Sequence, residues 1–264
     1  MSWALFLHHA RLRLKERMEY RAAFLLGLLA QMIGYAAGFL VLWLTLKQFE
    51  TIGGWGWPEI AFLYSLQILT YALGSAFAYS PMIDLEKIVQ QGNFDQVLLR
   101  PIDPFMSLTA QMFNIGYLSH VLLSVSIMVW SLGQIEVTWN AGMVLYFLMS
   151  TISGSLIVAA IFTFIGAWSL TIVRTDAVFN LMYSAYDFIR YPITIFSSGI
   201  QVFLATIVPV AFTNFYPAAV ILGKDTGVFP PVFGWFAPLI GPMLMYLAYR
   251  RFITSINRYQ GAGG

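Results

Sequence analysis

The chain has 264 residues, 59% of them hydrophobic and only 10% charged, with a formal net charge of +2. A soluble domain carries roughly a quarter of its residues as Asp, Glu, Lys and Arg, so this composition excludes one. Cysteine is absent, which removes disulfides, thiolate chemistry and cysteine metal sites.

The apolar runs are long and continuous rather than alternating. That pattern excludes a β-barrel and leaves an all-α integral membrane protein, because only helices or closed barrels satisfy the backbone in hydrocarbon. Residues 1–21 open with Trp3, Leu7, Ala10, Leu14 and Met18 at helical spacing, interleaved with Arg11, Arg13, Lys15, Glu16, Arg17, Glu19 and Arg21. This is the pattern of an interfacial amphipathic helix. A cleavable signal peptide is disfavoured, since the apolar run that follows is too long and lacks a small-residue cleavage site.

Residues 22–79 hold two spans, Ala22 to Leu46 and Pro58 to Tyr79. The first contains Gly34 and Gly38, a GxxxG spacing that permits close helix approach. Residues 80–111 are the longest polar interruption. Ile83, Leu85, Ile88 and Val89 share one helical face there, with Asp84, Glu86, Lys87 and Gln90 turned away. Gly92-Asn93 ends that helix, and a short apolar run from Phe94 to Leu99 stops at Arg100-Pro101. Asp103-Pro104 reads as an N-cap with proline in the first turn, launching the next helix. The segment is too polar to span and too amphipathic for a plain loop, so it is expected to lie on the membrane face and meet a partner.

Residues 112–173 hold spans three (Phe113 to Leu132) and four (Ala141 to Val173). Span four carries Ser150, Ser153 and Ser155 near its middle, as either helix-packing hydroxyls or the polar wall of a substrate path. A cytosolic loop is expected at 174–190. Span five follows, from Tyr191-Pro192 to Val208-Pro209, and then a broken, re-entrant outer element to residue 231. Ser198, in a run of small residues, and Gln201 are candidates for a dimer seam. Span six covers 232–249, with Pro238 and Pro242 as kink sites, and 250–264 form a polar tail.

Twelve Lys and Arg then fall on the side of both termini, against Lys47 and Lys224 on the other. The positive-inside rule makes the first side cytosolic. Trp43, Trp55, Trp57, Trp130 and Trp139 form an outer aromatic belt. Six spans with both ends inside result.

Every carboxylate falls in a loop or at a span edge by this assignment, which disfavours an ion-coupled transporter. His120 is the sole ionisable residue well inside a span. Adjacent helical residues point about 100° apart, so Ser119 and His120 are not expected to bond. Asp84 and Glu86 read as a solvated face rather than a metal or acid–base pair. No GxxxxGK[ST] phosphate loop exists. The chain thus shows no catalytic, cofactor or metal set of its own, and no nucleic-acid partner is expected.

Two stretches carry a family resemblance. Gly92-Asn93-Phe94-Asp95-Gln96-Val97-Leu98-Leu99-Arg100-Pro101-Ile102-Asp103-Pro104 resembles the G-x-(L/F)-D-x-x-L-L-(R/K)-P-x-x-P stretch of one branch of type-2 ATP-binding-cassette permeases. Pro209 to Pro217, continuing through Lys224, is similar to that branch's I-P-x-A-F-x-x-Y-P-A-x-x-L-L-G segment, with Val208 where isoleucine is frequent. The resemblance implies a permease subunit of an exporter in a bacterial cytoplasmic membrane. It would pair with a second permease protomer, identical or related, and sit on two copies of a separate ATPase that binds ATP and Mg. Pro81 to Gly92 would be the coupling helix, with Ile83, Asp84, Leu85, Glu86, Lys87, Ile88, Val89, Gly92, Asp95, Arg100 and Pro101 at the contact, and 210–231 the outer re-entrant cap. A membrane scaffold that recruits a cytosolic protein through the same segment, without transport, is the alternative.

Overall fold

The computed structural model describes residues 11, 12, 15, 19, 21–48, 50–171 and 175–259. Most of the amphipathic stretch 1–21, the end of span four at 172–173, Arg174 and the last five residues lie outside the described residues. Among the described residues the chain is helical, with one isolated bridge between Ile52 and Trp55. The helices are α1 (Arg21–Gln48), α2 (Trp57–Ile83), α3 (Leu85–Gln90), α4 (Phe94–Leu98), α5 (Pro104–Gln111), α6 (Leu118–Leu132), α7 (Ala141–Ser169), α8 (Asp176–Phe188), α9 (Ser198–Val202), α10 (Phe215–Leu222) and α11 (Ala237–Ile256). A π turn, Phe203–Ile207, continues α9.

The bundle is built around α2. Pro58 sits in its first turn, where a missing N–H costs nothing, and Glu59 Oε2 accepts the Gly56 N–H at 2.8 Å. Ile60, Ala61, Phe62, Leu63 and Leu66 are fully buried. A helix apolar all round is stable only when enclosed, and α6, α7, α8 and the segment after it enclose this one. Lipid tails give no hydrophobic drive between helices, so close approach through small residues does the work instead. A Cβ on Gly74 of α2 would collide with the Ser155 carbonyl of α7, and one on Gly241 of α11 with the Ser153 carbonyl. The Ser153 hydroxyl closes that second seam, donating to the Ala237 carbonyl and accepting the Gly241 N–H at 2.8 Å.

Among the described residues four segments are long and apolar enough to cross a membrane: Trp57–Gln90, Ile115–Leu132, Ala141–Ser169 and Pro231–Ile256. At about 1.5 Å per residue, the 28 residues of α1 are also long enough, although its described apolar stretch, Leu25–Val41, is shorter. Their outer faces are apolar too. Leu118, Leu122, Val125 and Val129 recur on one exposed face of α6, and Leu239, Met243 and Leu247 on one face of α11. Both an apolar interior and an apolar exterior are what a bilayer solvent requires. Pro238 lies in the first turn of α11 and Pro242 within it, and the helix continues through both. In α1, Gly38 backs onto the Tyr64 hydroxyl, whereas Gly34 meets nothing nearby.

The structure departs from the hydropathy reading in two places. The helix launched at Asp103-Pro104 does not run on into span three: α5 stops at Gln111, and span three starts separately as a short 3-10 turn, Ile115–Tyr117, leading into α6. At the break the Asn114 N–H bonds the Ala76 carbonyl of α2 at 3.0 Å. The second departure is larger. Residues expected as a cytosolic loop form α8. Its start, Thr175, bonds Glu86 beside the end of α2, here called the lower end. Phe179 then meets Phe162 at 6.0 Å, Tyr183 meets Tyr79 at 6.0 Å, and Tyr186 bonds Gln67. Ile195 finally packs against Gly53 at the upper end. So 175–195 runs the full height of the bundle.

The stretch expected as span five is instead the first limb of a hairpin. Gln201 sits near the upper end, its Oε1 accepting the Val228 N–H at 3.0 Å. The turn at 208–214 is buried at mid-height, where Thr213 packs on Gly154 of α7. The second limb, α10, returns to Lys224, whose Nζ lies 2.8 Å from Glu59 Oε2 and 3.0 Å from the Gly54 carbonyl. Pro192 and the Ser197-Ser198-Gly199 run prevent a straight span here, and Gly223, in the left-handed region at φ 62°, ends α10.

Candidate functional site

The polar interruption folds at the lower end as two short helices and a turn. A bend at Asp84 separates α3 from α2, and Gly92, at φ 70°, makes the left-handed turn into α4. Asp103 caps α5 as its sequence suggests, Oδ1 accepting the Met106 N–H at 2.9 Å. Its other oxygen accepts the Tyr249 hydroxyl of α11 at 2.8 Å.

The apolar face of α3 points inward. Leu85 and Phe94 are fully buried with Met82, Phe105, Phe162, Phe179 and Phe252 in a second core, and Ile83, Ile88 and Val89 flank it half-buried. These residues anchor the segment to its own protein. Leu85 is fully buried in that core. What the segment offers outward is Asp84, Lys87, Gln91, Asp95, Leu98, Leu99 and Arg100, with Pro101 exposed at the turn. Leu99 is 85% exposed.

Glu86 belongs to neither set. Its Oε2 accepts the Thr175 N–H at 2.7 Å and the Thr175 hydroxyl at 3.0 Å, and that hydroxyl is 3.0 Å from Ser169 Oγ. A carboxylate at the N-terminus of α8 meets the positive end of the helix dipole and makes charge-assisted hydrogen bonds. The short helix α3 is thereby tied to α8, and the chain beyond α8 continues to Ile195 at the upper end. Glu86→Gln keeps the shape and removes the charge. It is expected to cost about 1 kcal/mol, lowering the thermal midpoint by about 2–4 °C in a purified-protein melt.

The other sequence candidates scatter. Ser150 is fully buried. Ser153 is spent on the α7–α11 seam, and Ser155 bonds the Thr151 carbonyl at 2.8 Å. Helix packing therefore accounts for Ser153 and Ser155. Ser198 is exposed, but Gln201 is buried, donating to the Phe196 carbonyl at 2.8 Å while holding Val228. It pins the hairpin and does not face outward. Ser119 Oγ lies 3.2 Å from His120 Nδ1, against expectation. Both residues sit in the first turn of α6, where the side chains swing toward each other around the break. Ser119 also donates to Gln31 Oε1 of α1 at 2.9 Å.

Sequence reasoning misses three polar residues at mid-height. Gln67 donates to the Tyr186 carbonyl at 2.7 Å, and the Tyr186 hydroxyl returns a bond to the Gln67 carbonyl at 3.1 Å. Asn214, fully buried in the hairpin turn, donates to the carbonyls of Ile189 at 2.7 Å and Leu63 at 3.3 Å and accepts the Phe215 N–H at 2.8 Å. A glutamine in mid-span was a signal for the first pair. Asp187 and Arg190, an ion pair at 2.6 Å, follow Tyr186 along the chain.

An all-α bundle with a lipid-facing exterior, a re-entrant hairpin and an anchored polar platform at one end defines a multi-pass membrane protein. Over residues 32–263 the chain matches the family described as ABC-2 family transporter protein. It belongs to that family and is a transport permease. No curated protein and no solved structure matches it.

Proposed function

We propose that this chain is the permease subunit of an exporter in a bacterial cytoplasmic membrane, driven by a separate ATP-binding-cassette ATPase. Two ATPase copies, which hold ATP and Mg, would dock on a dimer of permease protomers. The observation that carries the reading is the platform from Asp84 to Pro101. Its apolar side is consumed by its own fold, yet it presents Leu99 to solvent beside Asp95 and Arg100. An exposed apolar side chain ringed by charged groups fits a contact with an apolar centre and a polar rim. The Glu86 tie to α8 supports a mechanical role, because displacement of α3 is passed to a helix that packs along α2 to mid-height and whose chain continues to Ile195 at the upper end. The test is reconstitution of the permease in proteoliposomes with the ATPase that copurifies with it. ATP turnover should rise on assembly; a recruiting scaffold would leave it unchanged.

With 175–195 as a crossing, Arg190 moves to the outer side, leaving eleven basic residues inside and three outside, from twelve and two. The bias and the cytosolic placement of both termini survive. Single cysteines at 195 and 225 should react with an impermeant maleimide added to intact cells, and cysteines at 99 and 258 should not. Labelling at 99 from outside would invert the topology.

A further inference from the structure

Two pockets meet at Asp187. One, of about 160 Å³, is lined by Tyr35, Tyr64, Tyr71, Tyr183, Tyr186 and Gln67, with Asp187 and Arg190 on its rim. The other is an open groove of about 640 Å³, lined by Thr51, Ile52, Phe188, Tyr191, Ile195 and Phe196 together with Asp187. The larger volume is of the size that takes a small organic molecule. We propose that the tyrosine-lined cavity between α1, α2 and α8 binds the head of an amphipathic organic ammonium ion, whose apolar body fills the adjoining groove. This deepens the permease reading by naming a substrate class, and rests on it.

The chemistry of the lining selects that head group. Gln67 is 4% exposed, and its Nε2 is used on the Tyr186 carbonyl, but its Oε1 has no hydrogen-bond partner. A buried amide oxygen without a donor carries an unrecovered desolvation cost, and a ligand N–H repays it. Phenol rings surround the same space, Tyr71 and Tyr186 with centroids 5.4 Å apart, and their negative faces attract cations. Arg190 does not oppose this, because Asp187 neutralises it at 2.6 Å. A carboxylate head would instead bring another acceptor to Gln67 and compete with Asp187 for the arginine. A neutral hydroxyl would satisfy Gln67 but gain nothing from the rings.

The test uses three ligands with one apolar body: 4-phenylbutylamine, 4-phenylbutanol and 4-phenylbutyrate. Binding is measured by calorimetry on the full chain in lipid nanodiscs, with empty nanodiscs subtracted. The ammonium ligand should saturate and bind about tenfold more tightly than the other two, the scale of a desolvated cation–π contact. Gln67→Met and Asp187→Asn should each weaken it several-fold, and Tyr35→Phe, which keeps the ring, should change it little. Asp187 is exposed, so its variant reports even where Gln67→Met fails to insert. Equal affinity for amine and alcohol, preference for the carboxylate, or no saturable binding overturns the inference. None of these touches ATPase stimulation, on which the permease reading depends.

Discussion

Leu99→Asp is expected to abolish most ATPase binding while leaving the permease inserted and monodisperse. Leu99 contacts little of its own protein, being 85% exposed, so the change costs the fold almost nothing. At an interface centre the same residue is enclosed. Losing a buried leucine side chain costs about 1.5–3 kcal/mol, and the aspartate adds an unpaired charge in a desolvated place. Affinity should therefore fall by about 10- to 100-fold or more. Lys87→Ala, at the exposed rim, should shift it by less than about fivefold, since exposed ion pairs contribute roughly 0–1 kcal/mol. Leu85→Ala gives the contrast. It leaves a cavity in the second core, at about 2–5 kcal/mol, so its damage should appear in a melt of the permease alone.

Asn214→Leu is expected to release the re-entrant hairpin. The branching of the side chain is kept, with two bulkier methyl groups in place of the amide, but the Ile189 carbonyl and the Phe215 N–H lose their side-chain partner in a fully buried site. The Leu63 carbonyl, third partner of Asn214, lies within α2 and keeps its helical bond. Two orphaned buried groups cost about 1–3 kcal/mol each, enough to lower the melting midpoint by about 5–20 °C. The loosened limb should expose the Lys224 peptide, so limited trypsin digestion should cut there in the variant and not in the parent. An unchanged midpoint with no cleavage at Lys224 would show that the turn is held by packing alone.

The contrast between Leu85 and Leu99 shows what patterning can and cannot carry. Spacing places Ile83, Leu85, Ile88 and Val89 on one face, and the structure keeps them together. Which body that face meets is a tertiary fact, and it is the protein's own second core. Local chemistry is more legible: Asp103 caps α5 and Gly92 takes the left-handed turn, because each depends on its immediate neighbours. The run of 175–195 along the bundle is hidden for the opposite reason. Hydropathy charges Asn180, Tyr183, Tyr186 and Asp187 as polar, yet Tyr186 is satisfied by Gln67 across the bundle and Asp187 by Arg190. The more apolar run after Pro192 scores better as a span and folds as a hairpin limb, since the broken backbone at 208–214 finds its partners inside protein, where irregular structure at membrane depth is tolerated. The Ser119–His120 contact escaped a helical-wheel argument because the wheel assumes a continuous helix, and α6 has just begun.

The absence of cysteine makes one measurement decisive for the proposed coupling. A single cysteine at 99, carrying a short photo-crosslinker, is placed in the full permease and assembled with its copurifying ATPase in proteoliposomes. A matched cysteine at 225 reports from the opposite end. Crosslinking to the ATPase from 99, and none from 225, is the expected result. An adduct from 225, or none from 99 in a complex that still hydrolyses ATP, would contradict the assignment of the Asp84–Pro101 platform as the place where the motor meets the permease.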